Sequence, residues 1–99
     1  MLGRDEGRLK AALARAGAVV GADLSRVPAI ICDSSDTSSL LAMATQAKVV
    51  LNCVGPYRFY GEPVVEACVE AGAHHVDISG EPQYLEKMQL KYHQARPRG

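Results

Sequence analysis

Apolar positions along this chain alternate between two spacings, one helical and one extended. Leu9, Ala12, Leu13 and Ala16 recur at helical spacing, with Asp5 placed to cap the first turn and Gly17 placed to stop a helix over 8–16. A glycine- and alanine-rich loop follows, and Ala29-Ile30-Ile31-Cys32 reads as a short buried strand ending at Asp33. Asp36-Thr37-Ser38-Ser39 then supplies side-chain oxygens for the unpaired N–H groups of a second helix carrying Leu40, Leu41, Ala44 and Ala47. Val49 to Val54 is apolar on both faces, the pattern of a strand covered on each side inside a parallel sheet. Gly55-Pro56 breaks it, Tyr57 to Gly61 reads as a loop, and Pro63 suits the first position of a third helix. That helix shows a Val64, Val65, Cys68, Val69 stripe and a stop at Gly72. His75-Val76-Asp77-Ile78 is a shorter strand, and Pro82 opens a last helix whose apolar face is Leu85, Met88 and Tyr92. The tail 96–99 reads as frayed, leaving an ordered core over 1–95.

Strands joined through helices, each strand a short apolar run, specify a parallel α/β sheet. At 99 residues the chain is at most one small domain. A chain of this size buries roughly two-thirds of its unfolded surface. Apolar residues at 47% place it among globular proteins and not disordered ones. Eleven basic residues balance eleven acidic ones, which argues against a nucleic-acid partner. Cys32, Cys53 and Cys68 are an odd set without CxxC spacing, and two of them sit inside apolar runs. They indicate a reducing, intracellular setting. The first residues carry no signal-peptide pattern, and no apolar run approaches the ~20 residues that span a bilayer.

In an open parallel sheet ligands sit beyond the carboxyl ends of the strands. Three groups fall there: Asp33, the stretch Asn52 to Tyr57, and the stretch Asp77 to Glu81. Bland uses compete with chemical ones at each. Asp77 and Glu81 could act as an acid–base pair, although turn and cap hydrogen bonds are the commoner use. Cys53 has no base placed beside it by the sequence, as a nucleophile would need. His74 and His75 on one strand point to opposite faces, so they do not share a metal with Cys68, and no metal site is expected. The tyrosines of Tyr57-Arg58-Phe59-Tyr60 read either as a pocket wall or as a packed surface loop.

The run Val49-Val50-Leu51-Asn52-Cys53-Val54-Gly55-Pro56-Tyr57-Arg58-Phe59-Tyr60-Gly61-Glu62-Pro63-Val64-Val65 resembles the signature of saccharopine dehydrogenase-like oxidoreductases. Ala67-Cys68, Gly72-Ala73, Asp77-Ile78-Ser79-Gly80-Glu81-Pro82 and Met88 to His93 continue it in register, so the resemblance covers residues 3–93. It implies a partial Rossmann domain that in the intact protein binds NADP or NAD and transfers hydride to or from a small-molecule substrate. It implies roles as well: Arg4 at the adenosine 2′-phosphate, Asp33 near the adenine, and Asn52, Gly55 and Pro56 beside the ribose and nicotinamide. Similar sequences include bacterial trans-acting enoyl reductases of glycolipid synthesis and animal proteins of lipid droplets and membranes. A lipid-related substrate and a lipid-droplet or membrane location are therefore expectations of the resemblance, with a cytoplasmic location otherwise.

The resemblance also locates a gap. The family's first strand and glycine-rich phosphate loop have no counterpart in the chain, and its second strand is reduced to a stub at Gly3-Arg4. With strand order 3-2-1-4-5, this leaves Ala29–Cys32 without a neighbour and only Val49–Val54 beside Val76–Ile78. Tight dinucleotide binding and activity of this chain alone are not expected, and no catalytic residue can be named. The rival expectation is a non-catalytic interaction module, or an inactive truncated product, with an exposed sheet edge.

Overall fold

A computed structural model of the protein describes residues 1–95; the expected frayed tail at 96–99 lies outside the described residues. The order is β1 (Leu2–Gly3), α1 (Glu6–Val20), β2 (Ile30–Ile31), α2 (Thr37–Ala44), β3 (Val49–Asn52), α3 (Tyr57–Ala71), β4 (His74–Asp77) and α4 (Pro82–Tyr92). Among the described residues every strand pairing is parallel, in two separate pairs: β1 with β2, and β3 with β4. The chain is α/β, an incomplete Rossmann-type arrangement. It divides into two compact units, Met1–Asp33 and the residues from Ser34 onward.

In the first unit, β2 does have a neighbour. Ile30 N–H donates to the Met1 carbonyl at 2.9 Å and Cys32 N–H to the Gly3 carbonyl at 2.8 Å. The two residues left of the reduced strand are enough to give β2 a parallel partner, so the expectation of an unpaired strand fails. Asp5 caps α1 as expected, accepting from Arg8 N–H at 3.0 Å. Gly17 does not stop the helix. It lies buried within it, where a Cβ would come within 2.7 Å of the Ala22 carbonyl oxygen. The glycine marks a close approach of the returning chain, and the stop is Gly21, whose φ of 69° is left-handed.

The second unit carries the core. Asp36 caps α2 through Ser38 N–H and Ser39 N–H at 3.0 and 3.3 Å. Leu40, Met43 and Ala44 are buried on α2, and Val64, Val65, Ala67 and Cys68 on α3. Helix α3 begins at Tyr57, not at Pro63, which sits inside it. The expected loop 57–61 is therefore the first turn of the helix. On α4 the inward stripe is Tyr84, Met88 and Tyr92; Leu85 is exposed, which shifts the expected apolar face by one position. Tyr84 reaches so close to α3 that a Cβ at Gly61 would lie 2.5 Å from its ring.

Register in the β3–β4 pair runs from Val49↔His74 to Asn52↔Asp77, and β4 itself begins and ends one residue earlier than expected. Its two faces differ. Val50 and Asn52 are buried, whereas Val49 (56% exposed), Leu51 (61%), Val76 (48%) and Ile78 (72%) leave the other face open. The sequence pattern of a strand apolar on both sides is there, but only one side is covered.

Candidate functional site

The carboxyl ends of β3 and β4 lead into two loops, 53–56 and 78–81, and these are tied together by side chains. Asn52 is buried; its Oδ1 accepts from Val54 N–H at 3.1 Å, folding the chain into a tight turn immediately after the strand. Its backbone carbonyl accepts the Tyr57 hydroxyl at 2.7 Å. On the β4 side, Asp77 Oδ1 accepts from Ser79 N–H at 3.0 Å and Ser79 Oγ from Glu81 N–H at 3.1 Å. Asp77 Oδ2 accepts the Tyr84 hydroxyl at 3.0 Å. The Tyr57 and Tyr84 rings close the circuit, tilted at 33° with centroids 5.4 Å apart.

Glu81 supplies the bond that joins the two loops. Its Oε2 accepts from Tyr57 N–H at 2.6 Å and its Oε1 from Arg58 N–H at 3.2 Å. Pro56, at the position before α3, has no side-chain acceptor, so the carboxylate of a residue 24 positions away caps the helix. This explains why α3 starts six residues before Pro63: the donors of its first turn are satisfied from outside the segment. Asp77 and Glu81 are thus both committed as hydrogen-bond acceptors.

Gly55 and Pro56 are exposed at the tip of the β3 loop, joined by a cis peptide bond. A Cβ at Gly55 would make only ordinary contact with the Tyr57 ring, so space does not demand glycine there. The Asn52 side chain, in contrast, faces inward, and its Nδ2 is a buried donor with no hydrogen-bond partner among the described residues. The reachable atoms of this loop belong to Cys53, Val54, Gly55 and Pro56, all exposed. Cys53 is therefore at the surface and not in an apolar interior, while Cys68 is the buried thiol, pushed up to about 11 by desolvation.

In the first unit, Arg4 and Asp33 lie just beyond the carboxyl ends of β1 and β2, Arg4 exposed and Asp33 half-buried. A groove of about 770 Å³, mostly apolar, lies elsewhere in that unit, between α1 and the loop that enters β2 at Pro28-Ala29. The five expected site residues thus form two groups, Arg4 with Asp33 and Asn52 with Gly55 and Pro56, each at the strand ends of its own pair.

At the opposite end of β4, His74 is exposed and His75 turned in, as alternation requires. Burial lowers the His75 pKa, partly opposed by Asp77, whose Oδ2 is 3.9 Å from Nδ1. No three His, Cys, Asp or Glu side chains converge as a metal site among the described residues. Of the tyrosine segment, Tyr57 is buried, whereas Phe59 and Tyr60 are exposed, with Arg58 stacked 4.8 Å over the Phe59 ring. The sequence singled out Asn52, Gly55 and Pro56 and gave Glu81 a turn or cap use, but did not show that the helix it caps is α3. The Glu81 carboxylate works through distance in space, and the only local hint was an acidic residue before Pro82.

Residues 2–99 match the saccharopine dehydrogenase NADP binding domain family. A human saccharopine dehydrogenase-like oxidoreductase is 57% identical over 94 residues, covering 93% of this chain and 22% of that protein. A lipid droplet localized protein of Caenorhabditis elegans is 54% identical over 98% of the chain and 23% of its own length. A trans-acting enoyl reductase of Mycobacterium ulcerans is 37% identical over 94% of the chain and 21% of its own length. The chain thus spans about one-fifth of the curated relatives it matches, and no solved structure matches it. With the parallel α/β architecture and the strand-end loops in place, the chain belongs to the saccharopine dehydrogenase NADP-binding domain family.

Proposed function

We propose that this chain supplies base-side and ribose-side residues for dinucleotide binding in an NADP- or NAD-dependent oxidoreductase. The intact protein transfers hydride to or from a small, lipid-related substrate. The observation that carries the reading is the braced pair of loops at the carboxyl ends of β3 and β4, where open α/β sheets receive ligands. A bound nicotinamide supplies the hydride chemistry, and the protein's part is to hold and orient it. Asn52 shapes the β3 turn from beneath, and exposed Gly55 and Pro56 offer the ribose and nicotinamide a surface with no bulky side chain. In this reading Arg4, exposed beyond β1, meets the 2′-phosphate that distinguishes NADP from NAD, and Asp33, beyond β2, contacts the adenine side. The described residues contain no glycine-rich turn leading into a helix to hold the pyrophosphate. The chain alone is accordingly a weak binder and catalytically silent. The name of the worm relative, a lipid droplet localized protein, supports the lipid-related substrate and a lipid-droplet location.

The test is a thermal melt of the purified chain with and without millimolar NADP, followed by amide shift mapping with NADP and NAD. Expected are a small rise in the melt, shifts confined to Arg4, Asp33 and 53–55, and a response at Arg4 to NADP alone. Micromolar affinity would overturn the weak-binder reading. Absence of any shift at these positions would overturn the site.

A second reading, a non-catalytic interaction module, is favoured by one observation: the open apolar face of Val49, Leu51, Val76 and Ile78. Self-association that rises with concentration and ignores NADP would support it.

A further inference from the structure

Each helix of this chain begins under a carboxylate or a proline of its own. Asp5 accepts from α1 and Asp36 from α2. Glu81 accepts from α3, and α4 opens on Pro82, which removes one donor. A helix N-terminus offers unpaired N–H groups and a positive dipole end, the features that bind phosphate, and an internal carboxylate uses up both. On α1 and α2 the capping residue is local, as in most helices. On α3 it is not, and α3 is the helix that rises from the loop carrying Gly55 and Pro56.

The Glu81 carboxylate is also fixed in place by its own backbone. Its N–H donates to Ser79 Oγ at 3.1 Å, and its carbonyl accepts Leu85 N–H at 3.1 Å in the first turn of α4. It spans Tyr57 N–H and Arg58 N–H with one oxygen each, the same two donors that would receive a phosphate at this helix.

We propose that Glu81 is a specificity-determining residue: by occupying the N-terminus of α3 with a fixed negative charge, it keeps anions off this strand end, so that the β3 loop receives the uncharged ribose and cationic nicotinamide ring of the dinucleotide. This deepens the cofactor reading above and rests on it. The geometry assigns the phosphates to donors outside this strand end. It also makes the charge at the loop favourable to the oxidised, positively charged ring over its neutral reduced form.

The experiment uses the full chain labelled with ¹⁵N, titrated separately with inorganic pyrophosphate and with nicotinamide riboside. In the unsubstituted chain, pyrophosphate is expected to leave the Tyr57 and Arg58 amides unmoved, while nicotinamide riboside moves those of 53–55. Glu81→Gln keeps the size of the side chain and removes its charge, and Glu81→Ala removes both. Each should let pyrophosphate move Tyr57 and Arg58, with apparent affinity raised about tenfold or more, as expected when one charge-assisted contact is exchanged for another. Glu81→Asp keeps the charge and should restore exclusion, which a purely structural role for the side chain would not predict. A shift of Tyr57 and Arg58 by pyrophosphate in the unsubstituted chain overturns the role of Glu81. So does a folded Glu81→Gln chain that stays silent. Silence toward nicotinamide riboside, with the pyrophosphate results as expected, overturns the cofactor reading instead.

Discussion

The two units of this chain are built from the same local devices yet reach different ends. In Met1–Asp33 a well-capped helix and a short parallel pair surround almost no interior: Gly17 is the one buried residue there. From Ser34 onward, equally ordinary caps lead to a core of aliphatic side chains on α2 and α3, closed by Tyr57 and Tyr84. Caps and turn glycines decide where helices begin and end, each worth about 1 kcal/mol. Burial decides whether the result holds as a unit, at roughly 25 cal/mol per Å² of apolar surface. The difference teaches that local correctness is no measure of stability.

The largest test of that comparison uses the thiols. Cys68, on the core face of α3 and 1% exposed, should react with iodoacetamide at least about a thousandfold more slowly than exposed Cys53, because it must wait for the unit to open. Equal rates would mean that the second unit has no closed core. Next in size, Tyr84→Ala removes the ring that fills the space over Gly61 and beside Tyr57. It should cost about 3–5 kcal/mol in denaturant unfolding of the second unit, as other large aromatic truncations do. A loss below about 1 kcal/mol would place the core elsewhere.

Smaller and deliberately symmetric effects come from the caps. Asp5→Ala and Asp36→Ala should each cost about 1 kcal/mol, read as faster amide exchange in the first turns of α1 and α2 respectively. A much larger cost for Asp5 would show that the first unit depends on its cap in place of a core.

The smallest effect is a pH dependence confined to the second unit. Glu62 on α3 pairs with Lys91 and, at 3.1 Å, with Lys87, both on α4, and these bonds hold its carboxyl below the usual 4.5. A depressed carboxyl stabilises the fold above its unfolded pKa. That contribution is lost as pH falls through the lower folded value. Being near the surface, it should amount to about 0.2–1 kcal/mol. Glu62→Gln should flatten this part of the acid limb and leave stability at pH above 6 lower by the same small amount; an unchanged acid limb would show the pair to be inert.

Much of the fold was legible because its signals are local. Asp5, Asp36, Gly72 and Pro82 each act within a few residues, and each does what its chemistry suggests. The β3–β4 pairing was readable too, since the usual Rossmann strand order makes these two strands neighbours joined through one helix. What escaped was set by how the chain packs in space. Gly17 is a glycine because Ala22 returns close to it, and Pro63 lies mid-helix because a distant carboxylate starts the helix earlier. Tyr84 replaces Leu85 on the buried stripe because the ring has Gly61 to pack against. For the candidate site, the motif pointed to Asn52, Gly55 and Pro56, but only the fold separates Asn52, turned inward, from the two exposed residues beside it.

The capping of α3 by a residue 24 positions downstream also sets an order of events during synthesis. A nascent chain emerges from its N-terminus, so Val49–Asp77 is available to pair before Glu81 leaves the ribosome. Until then the first turn of α3 has water as its only partner and frays, with Tyr57 and Arg58 loose at its head. Translation of a few more codons delivers Glu81 and then Tyr84, which cap the turn and bury Tyr57 together. The first turn of α3 is therefore the last part of the strand-end region to settle.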